Sequence, residues 1–144
     1  MASLRLEIIT AERIVLTAEA VGSVRVPASE GIVGILPRHA PLMTTLAPGE
    51  LIMRKGEEEE SFFVTGGFLE VRDNHVAVLA DASERAEEID VDRAEEARRR
   101  AEEALKEKRE GAELAAAEAA MRRALIRLRL AQRARGRRGA SRAQ

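Results

Sequence analysis

Four arginines in the second half of the chain are the residues whose types and spacing best support a chemical role. Arg93 and Arg100 are seven residues apart, and Arg123 and Arg127 are four apart. If the chain reverses near Gly111, the first pair faces the second. Gathered guanidinium groups repel one another unless an anion lies among them, and arginine suits phosphate because it donates paired hydrogen bonds. The spacing therefore predicts a phosphate-binding site, an interpretation that Glu84 and Asp90 would complete as hydrogen-bond acceptors for sugar or base groups.

Ordinary ion pairing along each helix is the alternative interpretation of the same arginines. Arg98, Arg99 and Arg100 are flanked by the acidic pairs 95–96 and 102–103. Opposite charges three or four residues apart are neighbours on a helix surface. Such solvated pairs are common and contribute little. On spacing alone, both interpretations remain open.

The elements that must position these arginines are two helices with apolar residues at alternating steps of three and four, the spacing of a seam between packed helices. The seam residues are Ala94, Ala97, Ala101 and Ala104 in the first helix, and Leu114, Ala117, Met121, Ala124, Leu128 and Ala131 in the second. Asp90 or Asp92 is the candidate N-cap of the first helix. The pattern predicts an antiparallel αα-hairpin. Because alanine buries little apolar area, its seam is a weak clamp that can open.

The first half of the chain has a different period. All four prolines and all three phenylalanines precede residue 84. Short segments with alternating apolar and polar residues are separated by turn residues, including Pro48-Gly49, Gly66-Gly67 and the stretch 72–75. This spacing is typical of antiparallel strands packed as a sandwich. We expect a mixed fold, with an N-terminal antiparallel β-sandwich of about nine or ten short strands followed by a C-terminal two-helix antiparallel hairpin.

Composition and charge divide the chain into three parts. We expect a β-sandwich over residues 1–84, a helical regulatory hairpin over 85–135 and a disordered basic tail over 136–144. The last 23 residues contain nine arginines and no acid. A block of one charge sign is usually solvated or interacting, and its natural partner is an acidic surface or nucleic acid.

Several classes of function lack their residues. The chain has no cysteine, and its two histidines, His39 and His75, lie on separate segments, so we expect no metal site. No serine has a histidine near it in sequence, and no glycine-rich phosphate loop is present. We therefore expect a protein that is not an enzyme. No apolar run approaches the ~20 residues that span a bilayer, so we expect no direct membrane span.

An ordered set of motifs resembles one protein family. The motifs are Ser29-Glu30-Gly31, Gly34-Ile35-Leu36-Pro37, His39-Ala40-Pro41-Leu42, Leu46-Ala47-Pro48-Gly49, Gly66-Gly67-Phe68-Leu69-Glu70-Val71, Val78-Leu79-Ala80-Asp81 and Ile89-Asp90-Val91-Asp92-Arg93-Ala94. Over residues 3–132 the chain resembles the epsilon subunit of bacterial F-type ATP synthases. The resemblance implies a β-sandwich with a helical hairpin and a non-catalytic subunit of the rotor's central stalk. It places the subunit in a peripheral complex on the cytoplasmic face of the bacterial plasma membrane.

The resemblance also implies partners for the sandwich. The gamma subunit and the c-ring would bind it, so that the subunit couples the ring of a proton- or sodium-translocating synthase to gamma. The residues implied at this interface are Glu30, Gly31, Ile32, Pro37, His39, Ala40, Pro41 and Leu42.

A regulatory role of the hairpin is implied in the same way. The hairpin would open into the catalytic head and inhibit ATP hydrolysis by meeting acidic segments of the beta subunits, beside the alpha subunits. The arginines implied in this contact are Arg122, Arg123, Arg127, Arg129 and Arg133. No cofactor is required, but ATP is implied as a regulatory ligand of the folded hairpin. The matching positions are Glu84, Asp90, Arg93, Ala94, Arg100, Arg123 and Arg127, which include all four spaced arginines.

A nucleic-acid-binding protein with a basic tail is the rival interpretation. The remainder of the chain is acidic, and the three aromatic residues, all phenylalanines, lie in the β half. They do not suggest a surface on which bases would stack. We therefore expect no nucleic-acid partner.

Overall fold

The computed structural model describes residues 2–107 and 109–142, and from residue 138 onward it describes the backbone alone. The chain forms two compact units, Met1–Arg85 and Ala86–Gln144. The first unit contains ten strands: β1 Leu4–Ile9, β2 Ile14–Val21, β3 Ser23–Ala28, β4 Gly31–Ile35, β5 Leu42–Thr45, β6 Gly49–Lys55, β7 Glu58–Thr65, β8 Phe68–Arg72, β9 His75–Leu79 and β10 Ala82–Arg85. The second contains the 3₁₀ turn Ala86–Glu88 and the helices α1 Val91–Lys106 and α2 Gly111–Arg142.

The ten strands form two five-stranded sheets. The first sheet has the order β2-β1-β9-β8-β5, and the second has the order β10-β7-β6-β3-β4. Neighbouring strands are antiparallel except β1 and β9, which are parallel. The predicted sandwich followed by a helical hairpin is thereby confirmed.

Alternation along the strands explains where the core lies. In β1, Leu4, Leu6 and Ile8 are buried, whereas the residues between them are exposed or half-buried. Period-two alternation places one face of a sheet on the core and leaves the other in contact with solvent. The core is almost entirely aliphatic, and the aromatic ring of Phe62 is fully buried in it.

Two tight connections give the first sheet its register. Asp73 and Asn74 both have positive φ, 50° and 62°, which suits the twist of the β8–β9 hairpin. Gly67, with φ of 93°, precedes β8, and a Cβ at this position would overlap the carbonyl oxygen of Leu79. Only glycine fits there, so Gly67 fixes how closely β8 approaches the end of β9.

The helical unit reproduces the predicted seam. Ala94, Ala101, Ala117, Ala124, Leu128 and Ala131 are buried, and the other four predicted seam residues are half-buried. Gly111, with φ of 58°, is the first residue of α2 rather than the centre of the turn. The connection between the helices therefore occupies residues 107–110.

The C-terminal end differs from the predicted disordered tail. Helix α2 continues through residues 136–142, and the last two residues of that tail, 143–144, lie outside the described residues. Arginine is a strong helix former, whereas Gly136 and Gly139 each oppose the helix by about 1 kcal/mol. Extending an existing helix needs no new nucleus, and this favours continuation despite the glycines and the repulsion between arginines.

Candidate functional site

Asp90 has a structural role at the start of α1. Its side-chain Oδ1 accepts a hydrogen bond from the backbone N–H of Arg93 at 3.2 Å, and its carbonyl accepts from Ala94 at 3.0 Å. The residue has extended backbone angles, φ −76° and ψ 111°. These are the features of an N-cap, which satisfies donors that a helix start would leave without partners. The predicted N-cap is thus Asp90, and the alternative Asp92 lies in the first turn.

The four spaced arginines lie on the two helices as predicted, with different environments. Arg93 and Arg100 on α1 and Arg123 on α2 are exposed, and Arg127 on α2 is half-buried. Three of the four are therefore accessible to a dissolved anion, and Arg127 is partly so. The phosphate site that they would form remains a prediction.

Two cavities on the helical unit involve different members of the predicted set. One, of about 210 Å³, is lined by Asp90 together with Glu87, Asp92 and Arg135 and by apolar residues of both helices. The other, of about 290 Å³, lies on α1 and is lined by Glu96, Arg99, Arg100 and Glu103. Asp90 and Arg100 thus line separate cavities. Ala94 is buried in the seam, whereas Glu84 belongs to β10 of the other unit.

The ion-pairing interpretation holds for Arg98, the first residue of the arginine triplet. Its guanidinium group contacts Glu95 at 2.6 Å and Glu102 at 2.8 Å. The hydrogen bond and the negative charge of Glu95 raise the pKa of Arg98 above its ordinary value, and Glu102 adds to this effect. Intrahelix pairing therefore occupies Arg98, but it does not account for the side chains of Arg99 and Arg100 beside the second cavity.

The predicted docking loop lies between two edge strands. Residues 36–41 connect β4, at the edge of the second sheet, to β5, at the edge of the first. His39 is half-buried, and its Nδ1–H donates to the carbonyl oxygen of Ala40 at 2.7 Å. Glu30, Gly31, Ile32, Ala40 and Pro41 are exposed, whereas Pro37 and Leu42 are half-buried.

Large apolar side chains are exposed beside this loop. Ile32 is 73% exposed, Leu36 62% and Met43 71%. Ile32 belongs to the predicted interface, but Leu36 and Met43 were not named in it. Exposed apolar groups clustered at one place on a protein surface mark sites of interaction.

A second apolar surface crosses the outer face of the first sheet. Phe68 pairs with Leu79, Leu79 with Ile9, and Ile9 with Ile14, so these four residues form a row across β8, β9, β1 and β2. Phe68, Leu79 and Ile14 are 55%, 47% and 65% exposed. We call these four residues the apolar row. Sequence analysis missed it because its members are far apart in the chain and meet only through strand pairing.

Charged residues border the apolar row on the same sheet. Glu7 lies on β1, two residues from Arg5 and two from Ile9. Its carboxylate contacts the guanidinium group of Arg5 at 3.1 Å and Nε2 of His75 at 3.0 Å. Arg5 also contacts Glu19 at 3.1 Å. An exposed apolar centre with a polar border is the usual anatomy of a protein–protein interface.

The arginines predicted to meet the beta subunits lie along α2. Arg122, Arg123, Arg129 and Arg133 are exposed and Arg127 is half-buried. No acid interrupts the sequence from Arg122 to its end. This half of α2 is therefore a positively charged helix surface, whose natural partner is acidic.

Two absences concern the residues that the structure describes. None of its helices combines the length and the apolar character needed to cross a membrane. Within the same ranges, 2–107 and 109–142, no three metal-capable side chains gather into a group.

Two family models match successive parts of the chain. Residues 3–86 match the beta-sandwich domain of the ATP synthase Delta/Epsilon chain. Residues 87–132 match the long alpha-helix domain of the same chain. The boundary between the matches falls within one residue of the boundary between the two compact units.

Relatives and solved structures agree with these matches. A protein named ATP synthase epsilon chain from Herpetosiphon aurantiacus is 51% identical over 129 residues, 90% of this chain and 94% of that protein. A protein of the same name from Moorella thermoacetica is 54% identical over 132 residues, 91% of this chain and 98% of that protein. Among solved structures, a chain of the Euglena gracilis mitochondrial ATP synthase, OSCP/F1/c-ring, matches with a TM-score of 0.73 and 25% identity, covering 84% of this chain and 76% of that one.

Proposed function

The chain belongs to the ATP synthase delta/epsilon family, as a non-catalytic epsilon subunit of the central stalk, and from this we propose that it couples the c-ring to gamma and inhibits ATP hydrolysis through its C-terminal helices. The complex would lie on the cytoplasmic face of a bacterial plasma membrane and would translocate protons or sodium ions. ATP would act as a regulatory ligand of the folded hairpin.

The apolar row is the observation that carries the docking part of this proposal. Its exposed side chains cross the outer face of one sheet, and burying them would gain about 25 cal/mol for each Å² removed from water. We assign this face to gamma. The docking loop, with its exposed Leu36, and the exposed neighbours Ile32 and Met43 would meet the c-ring and the adjoining part of gamma.

The inhibitory part rests on α2. Its arginines from Arg122 onward would be attracted to acidic segments of the beta subunits, with a strength that falls as salt rises. To reach them the hairpin must open. Opening the alanine-rich seam costs little free energy, because separating buried alanines exposes less apolar area to water than separating buried leucines would.

ATP would act by selecting one state of the hairpin. A ligand shifts a conformational equilibrium only through its different affinity for the two states. Arg93 and Arg100 on α1 can act together with Arg123 and Arg127 on α2 only while the helices lie side by side. High ATP would therefore favour the folded hairpin and relieve inhibition.

Reconstitution tests the proposal directly. The alpha, beta and gamma subunits of the same organism are assembled with and without this chain, and the rate of ATP hydrolysis and the retention of the chain on gamma are measured. We expect retention and a lower rate. R122E/R123E/R129E should stay bound but relieve inhibition, whereas R122K/R123K/R129K, which keeps the charge, should still inhibit. A wild-type chain that binds gamma without slowing hydrolysis would refute the inhibitory role, and one that does not bind gamma would refute the docking role.

A further inference from the structure

The seam of α2 continues past the end of its partner helix. Its apolar positions run from Leu114 to Ala131 in alternating steps of three and four residues, and the same steps lead on to Arg135, Arg138 and Arg142. Helix α1 has 16 residues, whereas α2 has 32. The matched long alpha-helix domain ends at residue 132. Beyond Ala131 the seam steps thus fall on arginine, and the first of these, Arg135, is exposed beside the buried Ala134.

Acidic residues lie beside Arg135, the first of these arginines. The cavity of about 210 Å³ at the start of α1 is lined by Glu87, Asp90, Asp92 and Arg135. Its remaining walls are the apolar residues Ala86, Ile89, Val91, Ala131 and Ala134. We call residues 87–92 the acidic turn. Three acidic residues and one arginine thus line the same small concave space within the helical unit.

The start of α1 favours the acidic turn. The turn lies at the N-terminus of α1, where the partial positive charge of the helix stabilises carboxylates. Arg135 lines the same cavity and brings a second positive charge close to these acidic residues.

We propose that the acidic turn is an intramolecular binding partner for Arg135, and that this contact latches the hairpin in its folded state. The same end of α2 would then have alternative acidic partners, one within the chain and one outside it. The inference rests on the proposed function only in assigning the outside partner to the beta subunits. The latch itself is a property of the single chain.

Its test measures the two states in the purified full-length chain. Because the sequence has no cysteine, E96C and Q132C introduce two unique label sites at exposed positions on α1 and α2. In the folded hairpin residues 96 and 132 lie on two helices that pack side by side, whereas a continuous helix at 1.5 Å per residue would separate them by roughly 54 Å. Pulsed electron paramagnetic resonance measures the distance between spin labels at these two sites. The distance distribution gives the ratio of folded to open molecules under conditions in which both are populated.

We expect R135E to lower this ratio by about two- to fivefold at low salt, the range for exposed charge pairs. R129E, with the same charge change on an exposed residue outside the seam register, should change it less than R135E. E87R/R135E should restore the ratio, and salt near 1 M should abolish the difference.

Each alternative result would overturn the latch. These results are an R135E effect no larger than that of R129E, no recovery in E87R/R135E, or a difference that persists at high salt. The near-ultraviolet spectrum of the phenylalanines, all of which lie in the sandwich, checks that the sandwich of each variant is intact. Since no other subunit is present, failure of the latch is distinguishable from failure of inhibition, which is measured in the assembled enzyme.

Discussion

The backbone N–H of Arg38 donates to the side-chain Oδ1 of Asn74 at 2.6 Å, across 36 residues of sequence. Both residues have positive φ, 67° and 62°. The bond ties the docking loop to the turn of the β8–β9 hairpin. The loop that we assign to the c-ring is therefore shaped by the same sheet that carries the apolar row.

This tether predicts a graded effect at Asn74. N74G keeps the positive φ but loses the bond to Arg38, and should lower the free energy of unfolding by about 0.5–1.5 kcal/mol. N74A loses the bond and also strains the backbone, so it should cost about 1 kcal/mol more. Urea denaturation of the purified chain measures both. Equal stability of N74G and the wild type would show that the tether contributes nothing.

Asp90 allows its capping role to be separated from its proposed nucleotide role. D90A removes the N-cap of α1 and should destabilise the helical unit by about 1 kcal/mol. D90N should leave stability nearly unchanged, because asparagine caps as well as aspartate. Thermal unfolding followed by circular dichroism measures stability. If the carboxylate accepts from ATP, D90N should also weaken ATP binding at unchanged stability, and unaltered binding would remove Asp90 from the site.

Arg123 and Arg127 should carry much of the affinity for ATP. Each guanidinium–phosphate contact is charge-assisted and contributes about 1.5–3 kcal/mol, so R123A/R127A should weaken ATP binding at least tenfold in calorimetric titration. R122A/R129A removes two arginines of the same helix that lie outside the predicted set, and serves as the control. Unchanged affinity in R123A/R127A would show that the site is wrong. Weakening in both variants to the same degree would indicate that only the general charge of α2 matters.

The apolar row should determine affinity for gamma without determining stability. F68Q/L79Q replaces two exposed side chains, so the free energy of unfolding should change by no more than about 0.5 kcal/mol per residue. Apolar residues at the centre of an interface often contribute more than 1 kcal/mol each, so binding should weaken at least tenfold. R72Q changes a solvent-facing residue of the same strand and should bind gamma normally. Wild-type affinity of F68Q/L79Q would place gamma on another face.

Features that depend on local spacing could be predicted from the sequence. The alternation of Leu4, Leu6 and Ile8, the seam alanines and the cap at Asp90 each involve residues within a few positions of one another. Local preference and periodicity fix such features before any long-range contact forms. These local features were enough to predict the fold class, the number of strands to within one, and the register of the helix seam.

Features that depend on strand neighbours could not be predicted in this way. Ile9 and Leu79 are 70 residues apart and lie side by side only because β1 pairs with β9. No local pattern specifies that pairing, so the apolar row was missed.

The end of α2 was missed for a different reason. The charge of residues 136–144 was interpreted as disorder, although the seam spacing continues through Arg135, Arg138 and Arg142. Counting the period beyond the last apolar residue was the available signal.

For the phosphate site, spacing predicts which residues share a side of the hairpin, but the direction of flexible arginine side chains depends on partners that the sequence does not reveal.

The parallel pairing of β1 with β9 also bears on how the protein is made. Strand β1 cannot pair with β9 until residue 79 has been synthesised. The helices form through contacts close in sequence, whereas the sandwich requires distant ones, and folding slows as such separations grow. We therefore expect the β1–β2 hairpin of the nascent chain to lack its β9 neighbour until residue 79 has left the ribosome. During that interval the edge of β1 that β9 later covers is open to chaperones and to misplaced strands.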